Sequence, residues 1–321
     1  MTFKVLRENL ERGVKRVADV ILPRPPIPVI GNIMVKVEGY TMRLVGTDME
    51  ITAISEIPII DGKVEEKVEF LIHGKSFQEL ASVIPAEEVV FSVVRKGHDE
   101  EGESYGLERH IFHIEVSGEG MGNYILPGSD AVNFPEIPQV EPKYVVSLTG
   151  AKIKGIVSKT LFSTSTDEMR AVLNGVLVHL LPEELRFVAT DGRRLSYLST
   201  KELSDPKVTE PIQSIIPRKA FQVFTKHISG DEELKIHLSD NRAAFVMTGY
   251  QVITRLIEGQ FPRYEAVIPN STKFELSVRT GDLISLIKRI SICSDSRTNM
   301  VRIFLKPDTL GLVAEDIDTG A

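Results

Sequence analysis

One cysteine, Cys293, is all the thiol chemistry in the 321 residues. A single thiol excludes an intrachain disulfide framework and any metal site needing several thiolate ligands; on its own it is expected in the buried core. No run of about 18 apolar residues appears that could span a bilayer as a helix. The opening Met1-Thr2-Phe3-Lys4-Val5 also lacks a basic stretch followed by an apolar block, so a cytoplasmic protein is expected. Nucleophile–base–orienter sets, paired-carboxylate motifs and clustered metal ligands are missing too, which disfavours an enzyme. His110 and His113, three apart on an expected strand, face opposite sides and cannot form a metal pair. The glycines of Gly118-Glu119-Gly120-Met121-Gly122 precede strand-like Tyr124-Ile125-Leu126-Pro127 rather than a helix. They read as a hairpin turn, without the helix amides of a phosphate loop.

What is present is a globular composition: 42% hydrophobic residues and both charge signs well mixed, enough chain for two or three domains. The net charge of −7 argues against a chain that coats nucleic acid over its whole surface. Residues 7–19, 73–82, 150–160, 217–228 and 281–292 read as helices, and they hold thirteen Lys and Arg against five Asp and Glu. Basic helices in an acidic remainder have two readings. Strands and loops simply carry the acids, or a basic helical surface faces a polyanion.

The pattern repeats. Phe3, Val5, Leu10, Val14 and Val17 mark a strand passing into a helix; Val146, Leu148, Ile153 and Val157 match at a shift of 143 residues, and Leu276, Val278, Leu283, Ile287 and Ile290 match again 130 further on. Asp48 and Asp191, each in a strand-then-Thr-Asp turn, share the 143 offset, and Asp316 marks a third such turn. Within each repeat lies a second helix, residues 70–80 matching 214–224. Proline-rich segments at 133–142 and 261–272 separate the repeats, setting domains of 1–143, 144–272 and 273–321. The third lacks a counterpart of 70–80, so a chain ending part-way through its last domain is expected, with an open sheet edge. Gly97 to Ser104 reads as a mobile acidic hairpin tip.

Only the middle turn continues Asp191-Gly192-Arg193-Arg194-Leu195. Asp-Gly is a preferred turn dipeptide, so Asp191 reads as a turn residue rather than a metal ligand. Alternation places Arg193 and Arg194 on opposite faces. With Leu195 and Arg170-Ala171-Val172-Leu173-Asn174-Gly175 they form either an apolar patch with a cationic rim, suited to a peptide, or plain core leucines beside solvated arginines.

Arg24-Pro25 with Pro28-Val29-Ile30-Gly31-Asn32, Gly46-Thr47-Asp48-Met49-Glu50, Leu173-Asn174-Gly175, Ala189 through Leu195, Ile216-Pro217-Arg218-Lys219 and Glu258 through Tyr264 occur here in one order. In this combination the chain resembles the bacterial DNA polymerase III beta subunits, the sliding clamps. The resemblance implies an α+β DNA clamp fold: three repeated domains, each of two strand-helix-strands halves, with helices lining a ring and antiparallel sheets outside. It implies a non-catalytic processivity factor without cofactor, a homodimer that encircles duplex DNA independently of sequence. The polymerase III alpha subunit, the clamp loader, other polymerases and repair proteins would bind it through short linear motifs.

Carried over by position, the partner groove would use Arg170, Val172, Leu173, Thr190, Gly192, Arg194, Leu195, Pro262 and Val267. Ala266 stands where some members have a basic residue, and the Met-Pro segment that completes the family's groove would follow Ala321. Arg24, Arg218 and Lys219 match DNA-contact positions, while Lys152, Lys154, Lys159 and Lys288 join them on helix charge alone. The ring interface would involve the strand at Met121 to Ile125, including Tyr124, with Ile292 and Cys293; its partner strand would also follow Ala321, which weakens the expected dimer. A peptide-binding adaptor with no DNA role and a metal-dependent phosphodiesterase using Asp48 and Asp191 are the rival readings.

Overall fold

Apolar alternation at Phe3 and Val5 gives way to three- and four-residue spacing at Leu10, Val14 and Val17, and the backbone follows: a short strand runs straight into a helix. The computed structural model describes residues 1–96, 111–201, 208–307 and 309–315. It divides into two compact units, Met1–Tyr264 and Glu265–Ala321. The first begins with β1 (Thr2–Leu6), α1 (Arg7–Ala18), β2 (Asn32–Gly39), β3 (Thr41–Thr47), β4 (Ile51–Asp61), β5 (Val64–His73), α2 (Gly74–Val83), β6 (Glu88–Lys96), β7 (Ile111–Ser117) and β8 (Tyr124–Asp130). It continues with β9 (Tyr144–Thr149), α3 (Gly150–Thr160), β10 (Gly175–Leu180), β11 (Leu185–Thr190), β12 (Leu195–Thr200), β13 (Ile212–Pro217), α4 (Arg218–Thr225), β14 (Glu233–Leu238), β15 (Arg242–Met247) and β16 (Tyr250–Arg255). The second unit contains α5 (Thr280–Ile290) and the hairpin β17 (Arg302–Lys306) and β18 (Thr309–Val313).

Strand order shows the repeat directly. The run β1-β6-β7-β8 is reproduced by β9-β14-β15-β16, and β5-β2-β3-β4 by β13-β10-β11-β12. The two halves join where β4 pairs antiparallel with β16, from Ser55 opposite Tyr250 to Ile51 opposite Thr254, giving one twelve-stranded sheet. Each strand thereby covers the other's edge and satisfies its backbone groups. Four helices pack into one core: Leu10 and Val14 from α1, Phe77 from α2, Ile153 from α3, and Phe221 and Phe224 from α4 are buried together. Phe224 stacks on Phe245 at 5.2 Å and on Tyr250 at 5.7 Å. Burying one such ring contributes on the order of 2–3 kcal/mol.

The opposite face of the sheet carries the alternate residues Met34, Val45, Ile54, Leu71 and Ile253. They are covered by the proline-rich segment at 133–142, whose Phe134 is buried, with Ile137 and Val140 beside it. That linker is a packed strap.

Several expectations need correction. The helix read over 217–228 ends at Thr225, where Lys226 caps it and Ile228 is buried in the following turn. Residues 274–279 alternate like β1 but form no ladder. β1 pairs with β6 and β9 with β14, and among the described residues no strand lies beside this segment, so Phe274, Leu276 and Val278 are exposed. Cys293 is exposed, not buried, at the end of the short turn Ser291–Cys293. One helix and one hairpin do not enclose a side chain that lies past the helix end. Arg16, counted with the helix charges, is buried under Tyr250, its guanidinium 4.7 Å from the ring centre. The segment 97–104, His110 and the Asp316 turn lie outside the described residues. The Gly118–Gly122 stretch links β7 to β8, with Gly120 at φ +74°.

Close packing of α1 on β3 sets a test. A Cβ at Gly46 would lie 2.4 Å from the Val17 carbonyl oxygen. Gly46→Ala is expected to lower the unfolding free energy by about 1–3 kcal/mol in urea titration; an unchanged midpoint would mean the helix can move away freely.

Candidate functional site

Both Thr-Asp turns have the same wiring. In the first, Asp48 Oδ1 accepts from the backbone N–H groups of Glu50 at 3.0 Å and Ile51 at 2.7 Å, and Thr47 Oγ1 accepts from Met49 N–H. In the second, Asp191 Oδ1 accepts from Arg193 and Arg194 N–H at 2.9 and 3.0 Å, and Thr190 Oγ1 accepts from Gly192 N–H. These are Asx turns, in which a short carboxylate replaces the missing backbone acceptors. The remaining carboxylate oxygen distinguishes them. Asp48, its side chain 5% exposed, takes the Lys219 ammonium from the second half of the sheet, whereas Asp191 takes Nε of its own neighbour Arg194 at 2.9 Å.

That difference shapes the second turn. Arg193 and Arg194 both sit in the turn and are exposed, so strand alternation, which would put them on opposite faces, does not apply before Leu195 opens β12. Arg194 lies 5.6 Å from the ring centre of exposed Phe162, a residue the sequence reading did not single out. Gly192 adopts φ +86°, and a Cβ there would sit 3.4 Å from Nη1 of Arg170. Arg170 itself leaves helical geometry at φ −114°, ψ 54°, within the kinked turn Glu168–Leu173. Three arginines thus surround one tight loop.

Beneath the loop is an apolar shelf. Leu173, Leu177, Val188, Ile215 and Phe261 are buried as one cluster, with Val172, Leu195 and Ile257 half-buried at its margin. Of the residues named for a partner groove, Arg170, Val172, Leu173, Thr190, Gly192, Arg194 and Leu195 therefore gather around this shelf and its rim. Pro262 is exposed next to buried Phe261, while Val267 belongs to the second unit and is exposed there.

A polar network supports the shelf and was invisible beforehand. Nδ1 of buried His179 lies 2.8 Å from the Tyr264 hydroxyl, to which Arg186 Nη1 donates at 3.1 Å. Arg186 also clamps Glu184 through Nε and Nη2 at 2.9 and 2.8 Å, and the Tyr197 hydroxyl donates to the same carboxylate. The hydrogen bonds from Arg186 hold the Glu184 carboxyl below its ordinary value. A histidine in β10, a strand buried along its whole length, was the available signal.

The cationic residues named for DNA divide in three. Lys154 and Lys159 are exposed on α3, opposite its buried Ile153 and Ile156, and Arg24 is exposed in the loop after α1. Lys152 donates to Thr200 Oγ1 at 2.8 Å, and Lys219 is held by Asp48, so both are engaged within the fold; Arg218 is half-buried at the start of α4. Lys288 is exposed on α5 in the other unit. At the expected ring edge, β8 pairs with β5 only through Gly128–Asp130, leaving one edge of Tyr124–Pro127 open with Tyr124 and Ile125 exposed. Met121, half-buried, precedes it, and Ile292 is exposed beside Cys293.

Residues 1–101 match the N-terminal domain of the DNA polymerase III beta subunit, and residues 147–263 match its central domain. The beta sliding clamp of Vibrio cholerae is 27% identical over 322 residues, 98% of this chain and 81% of that protein. That of Escherichia coli strain K12 is 26% identical over 326 residues, again 98% and 81%. The crystal structure of a DNA polymerase sliding clamp from Bacillus subtilis shares the fold with a TM-score of 0.86 at 24% identity, covering 100% of this chain and 82% of that one.

The turn geometry carries a pH prediction. Hydrogen bonds from the backbone of Arg194 and Arg193, then from the Arg194 guanidinium, lower the Asp191 pKa from 3.8 to about 2. Because the folded value is depressed, the bonds contribute fully above the unfolded carboxylate pKa and fade as pH falls through about 2. Carboxyl-carbon NMR should place the Asp191 midpoint near 2; a midpoint at 3.8 would contradict the wiring.

Proposed function

The chain belongs to the DNA polymerase III beta subunit family, and from that membership we propose that it is a processivity clamp: a ring-forming protein that encircles duplex DNA and tethers a replicative polymerase. The observation that supports this most is the head-to-tail join of two similar halves through β4 and β16, with all four helices of the unit buried into one core. An arc built this way extends by adding the same element again. Its division would be 1–143, 144–272 and 273–321, with a homodimer closing the ring through the segment Met121 to Ile125, including Tyr124, and the turn after α5 that holds Ile292 and Cys293.

In the first unit the proposed DNA surface is the solvent side of α3 with the loop after α1, where Lys154, Lys159 and Arg24 attract phosphates without reading bases, and in the second unit Lys288 on α5 is proposed to act in the same way. Such contacts are salt-sensitive and allow sliding, whereas base-edge contacts would fix the ring at one sequence. The work is tethering rather than catalysis, carried out in the cytoplasm. Polymerase, loader and repair proteins would dock a short linear motif on the shelf of Val172, Leu173 and Leu195, below the rim of Arg170 and Arg194. Apolar anchors fill the shelf and acidic groups meet the rim.

Two outcomes are expected. Threaded onto linear duplex whose ends are then blocked, the protein should co-elute with the DNA in gel filtration and leave once the duplex is cut. Equal loss from blocked and cut DNA would favour an adaptor that binds peptides without encircling. Leu195→Ala should weaken binding of a motif peptide about tenfold in calorimetry with the unfolding midpoint little changed; unaltered affinity would move the docking site elsewhere.

A further inference from the structure

Met49 occupies a backbone position that its counterpart fills with glycine. It sits at φ +80°, and the equivalent Gly192 at φ +86°. A side chain in the left-handed region costs about 1–2 kcal/mol, and Met49 regains little through packing because it is 50% exposed. Thr47 and Asp48 hold this backbone through the hydrogen bonds of the turn, and a side chain kept exposed at such a position, where glycine would cost nothing, points to another use.

Beside Met49, at the end of the β4–β16 ladder, lies a cavity of about 900 Å³. Leu256 and Ile257, both half-buried, line it with Met49. Arg218, Lys219 and Arg255 supply three cations against the single acid Glu50, and the Lys219 ammonium is already committed to Asp48. Asn174 also lines the cavity. A phosphodiester has no use for the three apolar side chains, whereas a peptide brings apolar anchors and carboxylates together.

We propose that this cavity is a docking site for a short acidic peptide segment, beside the shelf under Gly192, with which it shares Ile257. An apolar side chain of the segment rests on Met49, Leu256 and Ile257. Methionine suits this task because its unbranched thioether adapts to different partners. Neighbouring carboxylates meet Arg218 and Arg255.

The test uses the full chain with methyl-labelled methionine and two probes: acetyl-Asp-Glu-Leu-Leu-Glu-Asp-amide and the same peptide with lysine at each acidic position. The Met49 methyl resonance is expected to shift saturably with the acidic peptide and to stay put with the basic one. Arg255→Glu should weaken that response at least about fivefold, with the buried Met42 methyl unmoved as a check on folding, and Leu195→Ala should leave it intact. A Met49 resonance unmoved by either peptide overturns the proposal. So does a response to a short DNA duplex in place of the acidic peptide, which would make the cavity a phosphate site. Loss of the response in Leu195→Ala would assign the binding to the shelf instead.

Discussion

The antiparallel ladder between β4 and β16 is the constraint on which the rest of the first unit depends. Each half of Met1–Tyr264 would otherwise present a bare strand edge, and the ladder removes both edges at once. Its register also places the two halves' side chains. Around the ladder, Glu56 N–H donates to Gly249 O at 3.0 Å, and Asp48 receives Lys219 from α4. From α1, Asp19 meets Nε2 of His227 at 2.7 Å and Lys226 at 3.4 Å, while Arg16 packs against Tyr250. The bond from His227 lowers the Asp19 pKa. These polar ties each contribute modestly where water screens them. Their role is to fix the angle at which apolar faces of the two halves meet.

The same turn used twice shows how a repeat acquires separate roles without changing its backbone. Asp48 and Asp191 wrap the following N–H groups alike. In the first copy the spare carboxylate oxygen is spent on joining the halves through Lys219, and the turn is structural. In the second it is satisfied locally by Arg194, which stays at the surface with Phe162, Arg170 and the half-buried Leu195 around it. Holding the arginine by its own turn keeps a cationic rim in place over an apolar shelf, an arrangement suited to recognition rather than to stability.

Much of this was legible from residue spacing. The 143-residue offset of Asp48 and Asp191, and the strand-to-helix change at Val5 and at Leu148, correctly anticipated where β1–α1 and β9–α3 begin, because periodicity is a local signal that survives folding. Asp191 as a turn residue followed from local chemistry in the same way. What was not legible is tertiary. Nothing near Arg16 announces that Tyr250 will cover it, nor that His179 will find Tyr264 across 85 residues. The exposure of Cys293 and the unpaired segment at 274–279 depend on which strands are beside them, a fact absent from their own composition. Arg193 and Arg194 were misassigned because alternation was extended one turn too early into residues that are not strand.

If the β4–β16 ladder makes the two halves a single arc, its backbone should be as hard to open as the centre of either half. Native-state hydrogen exchange measures this directly. Amides of β4 and β16 that bond across the ladder between Ile51–Ser55 and Tyr250–Thr254 are predicted to exchange only through global unfolding, with the same opening free energy as the central strands β2 and β10. A ladder that opens at a distinctly lower free energy, while both sheet centres stay protected, would mean that two independent modules merely touch.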